Sequence, residues 1–175
     1  GLERYPYRIE AYDVSHHGKG ARSGSMVVFR QGKPERASYR HFSIKGFEGI
    51  DDYRALAEIV GRRLARLDEE SFGNRPDLIL VDGGIGHVAA VIPLVEPFGI
   101  PLAGMVKDDR HRTRGLVLSS SEIVELAKTG SLSDYLSENE QEGEKDDSLR
   151  ESEDMRAKRL GLLHLLTSIQ DEAHR

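Results

Sequence analysis

Leu78-Ile79-Leu80-Val81 is followed at once by Asp82-Gly83-Gly84, and Pro76 stands just before the run. Four apolar side chains in succession leave a strand no polar face, so it must be covered on both sides, as in the middle of a helix-flanked parallel sheet. Gly83-Gly84 predicts a tight turn into a helix over about 86–97, and Pro101-Leu102-Ala103-Gly104-Met105-Val106 reads as the next parallel strand. A second run, Ile9-Glu10-Ala11-Tyr12-Asp13, also ends in an aspartate. As neighbouring parallel strands about 4.8 Å apart, the two runs bring Asp13 and Asp82 out side by side. They emerge at the carboxyl edge, where open α/β sheets keep their ligands. Two such carboxylates can share a divalent cation, which prefers hard oxygen ligands.

The rest of the chain supplies a mixed α/β sheet with helices on both faces. Residues 8–14 read as a strand that runs into a flexible polar loop, Ser15 to Gly20. Ser25–Arg30 and Arg36–Ile44 flank the turn Gln31-Gly32-Lys33-Pro34, completing an antiparallel meander of three strands. Asp51-Asp52 precedes apolar residues at 53, 56, 57, 59, 60, 64 and 67, which predicts a helix over about 52–67. One of the two acids is expected to cap it and the other to face the site. Leu116–Leu118 and Ile123–Leu126 are brief strand candidates, and a last helix runs from about 154.

At 175 residues the chain suits one domain. It has no cysteine, so any metal must be held by oxygen or imidazole, and a cytoplasmic location is expected. No stretch is long enough to span a membrane. Glycine at the start and helical pattern at the end read as the boundaries of a piece of a longer protein. The formal charge of −5 is unevenly placed: from Asp134 to Asp154, ten acids face only Lys145 and Arg150, a balance of −8 that leaves +3 elsewhere. The body is therefore mildly basic and compatible with a polyanion. The acidic, serine-rich stretch over about 131–153 is expected to be a mobile insertion.

Spacing alone leaves Asp82 equally suited to helix capping and to metal binding, while Asp13 alone favours an Asx turn and gains as a ligand only when paired with Asp82. His174, near the end of the last helix, has the bland alternative of a surface residue. His164, set in Leu162-Leu163-His164-Leu165-Leu166, reads as a core or interface histidine. The Lys107–Arg114 stretch leaves the sheet at the edge of the aspartates. Lys107, Arg110, Arg112 and Arg114 are its phosphate-binding candidates, with Arg40, Arg62 and Arg63 as further contacts.

Tyr12-Asp13-Val14-Ser15-His16, Tyr39-Arg40-His41-Phe42, Asp51-Asp52-Tyr53, Arg62-Arg63, Pro76 through Gly84, Lys107 and Asp171-Glu172-Ala173-His174-Arg175 occur in one order. Together, from about residue 8 to 175, they resemble the carboxyl-terminal endonuclease domain of the UvrC family of bacterial nucleotide excision repair. The resemblance implies an RNase H-like fold and a metal-dependent DNA endonuclease that makes the 5′ incision at a lesion. It also implies catalytic roles for Asp13, Asp82, His174 and Asp52. Asp13 and Asp82 are expected to hold Mg²⁺ or Mn²⁺. His174 either completes the metal site or moves a proton, and Asp52 either orients water or supports a second cation. Damaged double-stranded DNA and the other repair subunits, UvrB among them, are the implied partners. Two departures stand out. Ile85-Gly86-His87 follows the glycines where the family often has Lys-Gly-Gln, and the acidic insertion has no counterpart. The family's helix-hairpin-helix module and amino-terminal domains are expected to lie outside this chain. The rivals are a non-catalytic DNA-binding scaffold and a metal-dependent phosphatase.

Overall fold

The two aspartate-ending runs become neighbouring parallel strands in the computed structural model, which describes residues 5–17, 21–44, 51–107, 113–118, 123–125 and 153–175. In chain order the elements are β1 (Arg8–His17), β2 (Ala21–Arg30), β3 (Lys33–Pro34), β4 (Arg40–Ser43) and α1 (Asp52–Leu64). They continue with β5 (Leu78–Asp82), α2 (Ile85–Val95), β6 (Leu102–Lys107), β7 (Thr113–Leu118), β8 (Ile123–Glu125) and α3 (Glu153–Ala173). One mixed sheet has the order β3-β2-β1-β5-β6-β7-β8, with β4 also paired to β2. The β1–β5 and β5–β6 pairs are parallel and form its centre, while the flanks are antiparallel.

Strand alternation divides the sheet's side chains between two cores. Tyr12, Val28, Ile79 and Val81 pack against Leu56, Ile59 and Val60 of α1 and Val88, Val91 and Val95 of α2. Ile9, Ala11, Leu80, Ala103 and Met105 pack on the other face against Leu163, Leu166, Ile169 and Ala173 of α3. The α3 residues recur at helical spacing, and burying each large aliphatic side chain stabilises the fold by roughly 1.5–3 kcal/mol. His164 stands outside this stripe and is exposed.

Three features depart from expectation. β1 does not fade into a loop after Val14: its ladder with β2 continues through Ser15↔Ser23, His16↔Arg22 and His17↔Ala21. Backbone pairing satisfies the main chain whatever the side chains, so a polar segment can extend a hairpin beyond the core. The expected 36–44 strand is broken by a 3₁₀ turn at Arg36–Ser38, leaving only β4. The Glu35 carboxylate anchors that turn, accepting from Ser38 Oγ at 2.7 Å and Arg8 Nη1 at 2.9 Å.

The third departure is Arg63, which is fully buried rather than displayed to a phosphate. Its guanidinium donates to both oxygens of the equally buried Glu10, with Nη2 at 2.9 Å from Oε1, and to the Asn74 carbonyl. Arg8 and the Tyr12 hydroxyl donate to the same carboxylate. A charge enclosed in a core must be paired to be tolerated, so Arg63 belongs to the scaffold and is withdrawn as a DNA contact. Position 63 continues the stripe Leu56, Ile59, Val60, and that spacing could have revealed its burial.

Candidate metal centre

Register determines which residues meet at the carboxyl edge. Tyr12 pairs with Val81, so Asp13 lies beside Asp82, and Asp82 pairs with Met105 of β6. Asp13 falls on the same face as Ile9 and Ala11, and Asp82 on that of Leu80, so both belong to the α3 face. Lys107 follows an irregularity in the β6–β7 ladder and reaches them through its Nζ. α3 ends beside them. Ser25, opposite Asp13 in the β1–β2 ladder, donates from Oγ to the Ala173 carbonyl at 2.8 Å and fixes the last turn of α3 over Asp13. Arg36 holds the same turn through Glu172 at 2.9 Å.

His174 therefore bridges the two aspartates. Its Nδ1 is 3.3 Å from Asp13 Oδ2 and its Nε2 is 3.2 Å from Asp82 Oδ2. Lys107 Nζ lies 2.7 Å from Asp82 Oδ2 and 2.6 Å from His174 Nε2, so this imidazole nitrogen accepts from lysine or donates to carboxylate according to tautomer. Gln170, one turn before His174, donates to Asp82 Oδ1 at 2.7 Å, and Ser15 donates to Asp13 Oδ2 at 3.3 Å. Burial pushes the Asp13 carboxyl above its ordinary value; the nearby His174 pulls it down and the charge of Asp82 pushes it up.

One ligand atom from each of Asp13, Asp82 and His174 lies within 4.8 Å of the others. Two carboxylates and an imidazole are donors that suit a hard or borderline divalent cation, so the residues present fit such an ion. The cluster opens on a cleft of about 380 Å³ that Asp13, Asp52, Asp82, His87 and Lys107 all line. Asp52 comes to it from the first turn of α1, while Asp51 caps the helix, accepting from Arg54 N at 2.9 Å. The sequence predicts that one acid caps and the other faces the site without saying which; Asp51 is the cap and Asp52 lines the cleft.

The basic candidates are less uniform. Lys107 is part of the cluster itself. Arg40 donates to the carbonyls of Ala37, Tyr39 and Ser71 and stacks on Phe72. Arg62 is half-exposed, donates to the Ser43 carbonyl and lies over Phe42. Arg114 is on β7, and Arg110 and Arg112 lie outside the described residues, as does the acidic stretch except for its last residue, Glu153. Sequence reasoning missed two members of the site, Gln170 and His87. Gln170 had one signal, its place four residues before His174 on the same helix face.

A central parallel strand pair carrying paired aspartates at its carboxyl edge, joined by a histidine from the last helix, defines an α/β protein with a candidate metal centre. The model of the UvrC RNase H endonuclease domain family matches residues 1–175, and the chain belongs to that family. UvrABC system protein C of Acetivibrio thermocellus is 40% identical over 193 residues, covering 99% of this chain and 26% of that protein. Its counterpart in Caldanaerobacter subterraneus subsp. tengcongensis is 50% identical over 139 residues, covering 70% of this chain and 22% of that protein. The chain thus spans about a quarter of the length of these relatives. Among solved structures, Ciona intestinalis endonuclease V in complex with DNA superposes with a TM-score of 0.46 at 16% identity, over 59% of this chain and 46% of that one. The catalytic domain of human endonuclease V gives 0.45 at 18% identity, over 68% and 61%. Among the described residues, no helix is long and apolar enough to cross a membrane.

Proposed function

We propose that this chain is a divalent-metal-dependent endodeoxyribonuclease that makes the 5′ incision at a lesion in nucleotide excision repair, by attack of water on a phosphodiester. The convergence of Asp13, Asp82 and His174 on one point carries the reading, and membership of the family supports it. Mg²⁺ or Mn²⁺ would be held by Asp13 and Asp82, with His174 as third ligand or proton carrier. When bound, the cation supplies Lewis acidity at the scissile phosphate and a lowered pKa for water.

The chain's own groups do the positioning. Gln170 and Lys107 hold Asp82 through its two oxygens, and Ser15 orients Asp13. Asp52, from the opposite wall of the cleft, orients the attacking water or supports a second cation. Arg40, Arg62 and the Lys107–Arg114 stretch, including Arg110, Arg112 and Arg114, track the DNA backbone without reading sequence. Residues 1–175 act as one RNase H-like domain with the acidic stretch as an insertion. Damaged duplex DNA is the substrate, UvrB and the other repair subunits are the partners, and the cytoplasm is the compartment.

The deciding experiment uses the full-length protein, its loading partners, Mg²⁺ and a duplex carrying one bulky adduct. Asp82→Ala is expected to reduce 5′ nicking to background. Nicking at the wild-type rate by the variant removes the assignment.

A further inference from the structure

Three carboxylates line the cleft, and a phosphodiester strand brings more negative charge to it. Donors are therefore needed on the cleft walls. Among the described lining residues, only Lys107 and His87 carry side-chain N–H groups. Lys107 is committed to Asp82 and His174 on the α3 side of the sheet. His87 stands on the other side, in the first turn of α2, and no described residue makes a hydrogen bond to its imidazole.

The ring is nevertheless firmly placed. Its Nδ1 edge lies over Gly83, so closely that any Cβ at that position would collide with it, and Gly83 has φ +144°. Asp82 is thus followed by a residue that must be glycine for the imidazole to lie where it does. Tyr53 of α1 packs edgewise on the ring, with centroids 4.7 Å apart and planes at 68°. Tyr53 in turn lies against Gly86, where a Cβ would stand 2.7 Å from its hydroxyl oxygen. Two glycines and a tyrosine hold the imidazole with Nε2 on the side away from the β5–α2 turn. A donor fixed before substrate arrives loses little conformational freedom on binding.

We infer that His87 is a strand-positioning contact of this site, donating from its imidazole to a non-bridging oxygen of the phosphodiester strand laid across the cleft. The inference rests on the nuclease reading and adds a second anchoring wall to it. Asp13, Asp82 and His174 approach the scissile phosphate from the α3 side, and His87 grips the strand from the α1–α2 side. The support of His87 by Tyr53 explains why an exposed tyrosine follows directly on Asp51-Asp52. Packing on Tyr53 uses the ring's shape and phosphate contact uses its N–H, so the test separates the two.

Two readouts on the full-length protein do so. In the first, the protein is assembled with its loading partners on an adducted duplex, with Ca²⁺ present, and treated with diethylpyrocarbonate before histidine modification is mapped by mass spectrometry. DNA is expected to protect His87 and to leave the exposed His164 reactive. Equal modification of His87 with and without DNA overturns the inference. In the second, single-turnover nicking is compared for His87→Leu, which keeps apolar bulk without a donor, and His87→Gln, which keeps a donor without a ring. Losing a hydrogen bond to a charged group is expected to slow His87→Leu about tenfold, with His87→Gln staying within about threefold of wild type. Wild-type nicking by His87→Leu, or equal loss in both variants, also overturns it. If Asp82→Ala nicks as wild type does, the nuclease reading fails, yet protection of His87 still decides whether it contacts the strand.

Discussion

Asp13 sits in an environment opposed to its own charge. Burial raises its carboxyl above the ordinary 3.8; of the lesser influences, His174 lowers it, Asp82 raises it, and Ser15 and Lys107 lower it. A carboxyl with a raised folded-state pKa binds its proton more tightly in the fold than in the unfolded chain. Its contribution to stability is full below 3.8 and is lost as pH rises through the raised value. Asp13→Asn keeps the shape and abolishes the ionisation. In chelator at pH 7 the variant should therefore melt above wild type, and the gap should close as pH falls below the ordinary aspartate value, as scanning calorimetry can follow. Mn²⁺ should reverse the order by stabilising only the protein with both aspartates, through mass action on the folded state. Titration calorimetry should likewise show Mn²⁺ binding to wild type and none to Asp13→Asn. A destabilised carboxylate of this kind is a familiar cost of a binding site.

At the scale of elements, α3 does two jobs with one stripe. Leu163, Leu166, Ile169 and Ala173 close one face of the sheet, while Gln170 and His174, one turn apart, meet Asp82. Gln170 is 4% exposed and holds the oxygen of Asp82 that Lys107 does not. Gln170→Leu should fold normally and weaken Mn²⁺ binding by about 10–100-fold, the usual effect of losing a group that orients a ligand. Isothermal titration of the variant against wild type measures this directly. His174 was legible as a candidate because its sequence context resembles a family motif. Gln170 was not, because an amide carries no chemical signature until its partner is known. The same contrast separates Asp51 from Asp52: adjacency to a helical period announced a cap, but only the fold showed Asp51 taking it and Asp52 lining the cleft.

Across the whole molecule, the sheet order was largely readable, since a continuous apolar run has few places to go and β5 takes the central one. Buried charge was readable only by position: residue 63 lies on the apolar stripe of α1, but its partner Glu10 stands 53 residues away in the chain. Arg63 was read as a phosphate contact, yet with Arg8 and Glu10 it forms a closed ionic core that ties β1 to α1 and to the loop at Phe72 and Asn74. Removing Arg63 leaves Glu10 only Arg8 and the Tyr12 hydroxyl as donors, so Arg63→Ala should cost at least about 1.5–3 kcal/mol, the worth of hydrogen bonds to a charged group, measurable by urea denaturation. DNA affinity of the folded variant should stay unchanged. The 36–44 segment was misread for a related reason: Glu35 binds across the fold to Arg8, and no local propensity announces a distant partner. The aspartate of the first strand meets the histidine just after the last helix, 161 positions later in the chain. During synthesis from the amino end, the sheet's central strands emerge long before that histidine does. A prematurely released chain would keep the aspartates and lack the residue that joins them. Such a product would carry half a site and an uncovered apolar face, the mark by which quality control recognises an unfinished chain.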